Sequence, residues 1–164
     1  MPFSRDIEIV SLLASPQHRY EGRPSDGPRD ATTRESFDTV EVRAGLGIVG
    51  DRYFGQRAHV SASVTVMAIE SLEGLGLGPL NPLDTRRNII TRGLDIDAMR
   101  GEEFSLDGIL FRANRPANPC AWMNVAIADG AHKGLRGQGG LRGEPLSDGI
   151  LRVGPATLTV VPSS

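Results

Sequence analysis

Glycine and proline punctuate this chain throughout, 20 and 11 of them in 164 residues, and the apolar runs between them are short. Either residue costs a helix interior about 1–3 kcal/mol, yet both are natural turn residues. Long helices are therefore hard to place, and many short strands joined by turns are easy. Ile7 to Leu13 reads as a first strand. Phe37 to Arg43 alternates Phe37, Thr39 and Glu41 against Asp38, Val40 and Val42, and reads as another. Val60 to Met67 is β-rich, Asn88 to Thr91 is a short strand, and Thr157 to Val161 is the last. Glu103 to Leu106 and Ile109 to Arg112 flank Asp107-Gly108, the strongest hairpin signal in the chain.

Helices are few. Ala68 to Leu75 carries Ile69, Leu72 and Leu75 on one face and stops among Gly74, Gly76 and Gly78. Asp95 can cap a single turn from Ile96 to Arg100, closed by Gly101, and Trp122 to Lys133 suits a helix broken at Gly130. Gly137 to Gly143 reads as a glycine-dense turn, and Asp148-Gly149 as a hairpin-like one. The expected fold is mainly β, a curled sheet or barrel with two or three short helices. Residues 16–34 form a long polar loop, either disordered or a cover for a site; His18, Arg19 and Tyr20 are poor linker residues and favour partial order.

The length suits one domain over residues 1–164, with a core that needs no disulfide or structural metal. A net charge of −2 argues against a nucleic-acid role driven by bulk charge. One cysteine excludes an intrachain disulfide, no stretch reaches a membrane span, and the N-terminus lacks a signal-peptide core; a soluble cytoplasmic protein is expected. Lys133 is the only lysine beside seventeen arginines. A GC-rich genome explains that bias, and so does anion binding, because guanidinium forks match phosphate.

Cys120, the lone cysteine, sits in Arg115-Pro116-Ala117-Asn118-Pro119-Cys120, where two prolines exclude a regular helix or a central strand. A loop thiol can serve as nucleophile, sulfur carrier or soft metal ligand. Gly45-Leu46-Gly47-Ile48-Val49-Gly50 matches a dinucleotide fingerprint, but no amphipathic helix follows and no βαβ rhythm surrounds it. It reads instead as a tight bend that delivers Asp51 and Arg52. His18, His59 and His132 are far apart and lack metal spacing. In Asp84-Thr85-Arg86-Arg87-Asn88-Ile89, an extended chain points Arg86 and Asn88 one way and Arg87 the other. Arg86 and Asn88 then either hold an oxyanion or polar heterocycle together, or form an ordinary charged strand end.

The ordered series Gly50-Asp51-Arg52, Arg86-Arg87-Asn88-Ile89, Gly93-Leu94-Asp95, Gly101, Pro119-Cys120 and Gly149-Ile150-Leu151-Arg152-Val153-Gly154 resembles a MOSC domain, the C-terminal domain of molybdenum cofactor sulfurases. The likeness runs from about Val40 to Val160 and implies a barrel-like β fold. It implies that Cys120 is a thiolate ligand of molybdenum in a pterin cofactor, or a persulfide carrier. Members of the first kind reduce N-hydroxylated compounds. It also implies that Arg86 and Asn88 contact the molybdenum cofactor, with Asp51 and Arg52 as turn or cofactor residues. The stub before Phe37 is too short for the extra β domain of the large reductases. Neither ferredoxin-like cysteines nor a sulfurase domain is present, so an electron-donor protein or a cysteine desulfurase is the expected partner. A non-catalytic binding module with an inert, buried Cys120 is the remaining alternative.

Overall fold

The computed structural model describes residues 3–161. Ten strands and three short helices follow one another: β1 (Ser4–Leu12), β2 (Thr39–Arg43), β3 (Gly47–Ile48), β4 (Val64–Ala68), α1 (Ile69–Glu73), β5 (Ile89–Arg92), β6 (Glu103–Leu106), β7 (Ile109–Pro116), α2 (Trp122–Ala126), α3 (Ala131–Gly134), β8 (Leu141–Pro145), β9 (Gly149–Arg152) and β10 (Gly154–Val161). Seven strands close a barrel in the order β1-β10-β6-β7-β8-β4-β5, and β3-β2-β9 form a separate small sheet. The mainly β barrel with short helices is the fold the glycine and proline punctuation predicts. Among the described residues no helix is long and apolar enough to cross a membrane.

Side-chain alternation divides the core in two. Ile89 of β5 points into the barrel with Ile9, Leu12, Val66, Phe104, Phe111 and Leu158. Its neighbour Ile90 points outward and packs with Met67, Leu72, Met123, Ala131 and Leu135. That second cluster fastens all three helices onto the outer face of β4 and β5, and with them the loop that carries Cys120. Burying a side chain of this size contributes about 1.5–3 kcal/mol, so the cluster holds the helices without long helical runs.

Several local expectations hold. Asp107 (φ 48°) and Gly108 (φ 84°) form the left-handed pair that turns β6 into β7. Gly130 (φ 93°) separates α2 from α3. Others need correction. Only the last part of the Val60 to Met67 run is strand, because residues 57–63 make a short 3-10 turn and bends first. Gly137 to Gly143 is not one turn: β8 begins at Leu141 and takes in Gly143. A side chain at Gly143 would lie 2.1 Å from the Arg112 carbonyl, so glycine marks a close strand approach there. The chain also contains one parallel pair, β4 with β5, joined through α1. The glycine fingerprint at residues 45–50 is not part of this crossover: it leads from β2 into β3, which pair antiparallel.

Candidate functional site

Cys120 is exposed and opens on a cleft of about 290 Å³. His18, Arg19, Tyr20, Arg52, Tyr53, Arg86, Arg87, Trp122 and Arg142 line the rest of it. The lining comes from four loops and turns, each held differently, and from Arg142 of β8.

The first part is the turn before β5. Residues 82–85 form a 3-10 turn, and Arg86 leaves it in the left-handed conformation (φ 59°, ψ 18°). The chain is therefore not extended at Arg86, and the alternation that paired Arg86 with Asn88 fails. Arg86 and Arg87 both reach the cleft lining, and Asn88 does not. Asn88 is 2% exposed, and its side chain is fully engaged inside the fold. Its Oδ1 accepts from Thr65 N (2.9 Å) and Thr65 Oγ1 (3.1 Å), and its Nδ2 donates to Leu13 O (3.0 Å). Arg86 is occupied as well: Nη1 donates to Glu35 Oε2 at 2.6 Å and Nη2 to Gln17 O at 2.7 Å.

Arg87 differs. Its Nε donates to Gly139 O (2.9 Å) and its Nη2 to Ala117 O (3.0 Å). Both partners are neutral carbonyls, and among the described residues no carboxylate pairs with it. Burial, then the charge of Arg142, pushes its pKa down to about 10, while Cys120 and Tyr53 pull it up and Arg52 opposes them. Arg87 therefore remains charged at neutral pH. Its two carbonyl partners staple the Cys120 loop (Ala117) to the turn before β8 (Gly139).

The second part is that Cys120 loop. Ala117 N donates to Gly140 O (2.8 Å), and Met123 N donates back to Cys120 O (2.9 Å) at the start of α2. The Asn118–Pro119 bond is trans. The sequence-near cations Arg115, Lys133 and Arg136 are not among the residues lining the cleft; those beside Cys120 arrive from elsewhere in the chain.

The third part is the bend after β3. Asp51 is buried, accepts Ser15 N at 3.1 Å, and pairs with Arg52 Nη1 at 3.2 Å. Asp51 therefore holds the bend and aims Arg52, which stacks 4.7 Å from the centre of the Tyr53 ring. Arg142 of β8 lies 5.7 Å from the same ring. His18 and His59 meet the Tyr53 ring edge-on.

The fourth part is the polar loop 16–34. It folds across the cleft as a strap. Tyr20 stacks on Trp122 (5.3 Å between centroids, 10° between planes), and its hydroxyl donates to the Asp84 carbonyl. Burial, with a smaller contribution from the Asp84 charge, pushes the Tyr20 phenol up to about 12. Glu35 bridges Arg19 (3.0 Å) and Arg86 (2.6 Å), tying the strap down.

Charge accounting follows directly. Five guanidinium groups (Arg19, Arg52, Arg86, Arg87 and Arg142) line the cleft, and two carboxylates, Glu35 and Asp51, pair with three of them. Among the described residues no carboxylate pairs with Arg87 or Arg142, which line the cleft with Cys120. Sequence reading missed Arg19, Tyr20, Tyr53, Arg87, Trp122 and Arg142 as site residues. The arginine excess pointed to Arg19, Arg87 and Arg142 as a class, and the poor-linker composition of the polar loop to Arg19 and Tyr20; Tyr53 and Trp122 carried no such signal.

No family model matches the chain, and no curated protein matches it. Solved structures do. YuaD from Bacillus subtilis aligns at 14% identity over 99% of this chain and 100% of its own, with a TM-score of 0.72. YiiM from Geobacillus stearothermophilus aligns at 17% identity over 95% of this chain and 75% of its own, TM-score 0.63. YiiM from Escherichia coli aligns at 16% identity over 96% of this chain and 71% of its own, TM-score 0.59. At such identities the likeness is one of fold, and it agrees with a MOSC-like barrel.

Proposed function

We propose that the whole chain, residues 1–164, is a single MOSC-type domain whose cleft binds an anionic, ring-bearing cofactor, the molybdenum cofactor, against Cys120. The observation that carries this reading is the juxtaposition of an exposed thiol with Arg87, a buried guanidinium that no carboxylate among the described residues neutralises. Buried charges are normally paired, so an unpaired one facing a cleft favours an anionic ligand. The donor set suits the cofactor. A thiolate is a soft ligand for a high-valent metal, and guanidinium forks suit a phosphate. Among the described residues no group of three or more His, Cys, Asp or Glu is placed to hold a metal ion. The protein would thus supply Cys120 as its one ligand, and the remaining coordination would come with the cofactor.

Arg87 and Arg142 would hold the phosphate, with Arg52 beside them. The stacked Tyr20 and Trp122 would wall the ring system, and the strap would exclude water. Asp51 acts through Arg52, and Asn88 through the fold beneath it. When bound, the cofactor would supply the two-electron reduction of an N-hydroxylated substrate, with electrons from a partner protein. A cleft near 290 Å³ lies at the lower edge of the roughly 300–1,000 Å³ usual for small-molecule sites, so a swung-out strap would favour entry.

The exposure of Cys120 also supports a second reading, sulfur carriage. The Cys120 thiolate would attack the persulfide of a cysteine desulfurase, form Cys120–S–SH and release the desulfurase thiolate. The free guanidiniums would stabilise the anionic persulfide.

Metal and pterin analysis separates the two readings. Protein from a host that makes the cofactor should carry molybdenum and pterin near one per chain. Cys120→Ser should lose the metal yet melt like the wild type. Full metal retention in that variant would refute the ligand role. Absence of both metal and pterin from the wild type, with uptake of sulfur at Cys120 from a desulfurase, would establish the carrier reading instead.

A further inference from the structure

A larger pocket, about 580 Å³, is lined by Arg5, Glu70, Asp95, Asp97, Gly137 and Gln138 among others. One peptide unit links a lining residue of this pocket, Asp97, to a lining residue of the cleft, Arg87. Gly140 N donates to Asp97 Oδ1 at 3.0 Å, and Gly139 O accepts from Arg87 Nε at 2.9 Å. That N–H and that C=O belong to the same planar trans peptide and point in opposite directions. The carboxylate on one side and the guanidinium on the other therefore grip a single rigid plate. Its dipole is aligned with both charges.

The plate has little room to move. A Cβ at Gly139 would lie 2.2 Å from Ala117 O, and one at Gly140 would lie 2.2 Å from Val66 O. Gly140 also sits at φ 92°, a conformation that a side chain would strain. Only glycine lets the peptide stand this close to both strand and loop. Asp97 Oδ1 accepts the N–H at one end of the plate, and the carbonyl at its other end accepts from Arg87 Nε.

We propose that Asp97 is a positioning residue for the anion cleft, fixing the plane of the Arg87 guanidinium through the Gly139–Gly140 peptide. The inference rests on the reading of the cleft as an anion site. The opposing possibility is that Asp97 only adds negative charge, in which case its removal would strengthen anion binding. Arg5, Glu70 and Asp95 share its cavity, and Arg87 is the charge across the plate.

Sulfate is the probe, because its charge is constant across neutral pH. Trp122 is the only tryptophan and lines the cleft, so its fluorescence reports binding. Asp97→Ala should weaken sulfate about fivefold or more, as coupled residues do. Asp97→Asn keeps an oxygen acceptor in place without the charge and should stay within about twofold of wild type. Asp97→Glu keeps the charge but displaces the acceptor and should weaken binding; it serves also if the alanine variant does not fold. In an Arg87→Gln background, Asp97→Ala should change sulfate affinity no further. The Arg87 Nε–H resonance should broaden in Asp97→Ala and persist in Asp97→Asn.

Equal or tighter sulfate binding by Asp97→Ala and Asp97→Glu would overturn the proposal and leave the cleft reading intact. A full additional loss in the Arg87→Gln background would overturn it too. Failure of the wild type to bind sulfate at all would overturn the anion-cleft reading and this inference with it.

Discussion

Asn88 offers the sharpest contrast between a ligand contact and a structural post, and the structure gives its magnitude. Its side chain makes three hydrogen bonds, to Thr65 N, Thr65 Oγ1 and Leu13 O, at 2.9–3.1 Å. In Asn88→Ala the Thr65 hydroxyl keeps a partner, because Asn88 N still donates to it. The Thr65 N–H and the Leu13 carbonyl lose theirs inside the fold. Each unsatisfied buried group costs about 1–3 kcal/mol, so the variant should lose about 2–6 kcal/mol. That is a large share of the roughly 5–15 kcal/mol that holds a domain together. At about 2–4 °C per kcal/mol for a chain of this size, the melting temperature should fall by about 5–20 °C. Thermal and urea unfolding followed by circular dichroism measure the loss directly. Sulfate titration well below the melting point should find the native fraction binding within about twofold of wild type. An Asn88→Ala protein that melts within about 2 °C of wild type but loses sulfate or cofactor affinity would refute this assignment and make Asn88 a ligand residue.

Two further substitutions test the strap and the plate. Because the Tyr20 phenol is pushed up to about 12 by burial, the folded state holds its proton more tightly than the unfolded chain does. The associated stability is fully present below the ordinary tyrosine pKa of about 10 and is lost as pH rises through about 12. Tyr20→Phe keeps the stack on Trp122, removes the bond to the Asp84 carbonyl, and should flatten the alkaline limb of the stability profile relative to wild type; an unchanged limb would contradict the burial. Gly139→Ala places a methyl 2.2 Å from Ala117 O, so it should destabilise by about 1–3 kcal/mol and change the rate at which Cys120 meets a thiol reagent. A wild-type rate and melting point would mean that the Cys120 loop is not pinned by this turn.

The barrel was legible because its signals are local. Asp107-Gly108 makes its hairpin from two residues, and the Ile69 and Leu72 face of α1 buries as its spacing predicts. Register across the barrel was less so. β8 hides in a glycine-rich segment because Gly143 meets Arg112 O from a distant strand, and β9 pairs with β2 more than a hundred residues away. The site suffered most from one local event. A single left-handed residue, Arg86, reverses the parity of everything after it, so Arg87 and not Asn88 reaches the cleft. Nothing in the residue type signals that turn, since arginine rarely adopts it. The ion pair to Glu35 that holds Arg86 there spans fifty-one positions.

The same turn explains how a chain of net charge −2 builds a cationic cleft. Two adjacent arginines divide the work. Arg86 is neutralised by Glu35 and secures the strap, so its charge is not available to a ligand. Arg87 is held by carbonyls of Ala117 and Gly139, which orient a guanidinium without cancelling it. A carboxylate in their place would stabilise Arg87 better and bind anions worse. Replacing Arg86 should therefore loosen the strap first and weaken anion binding second, whereas replacing Arg87 should weaken anion binding directly, leaving a residue of affinity from Arg142 and Arg52, while the strap, still tied by Arg19 and Glu35, stays down. Cys120 stands beside the arginine whose charge is unspent, and a loop thiol there faces a ligand already drawn in by its negative charge.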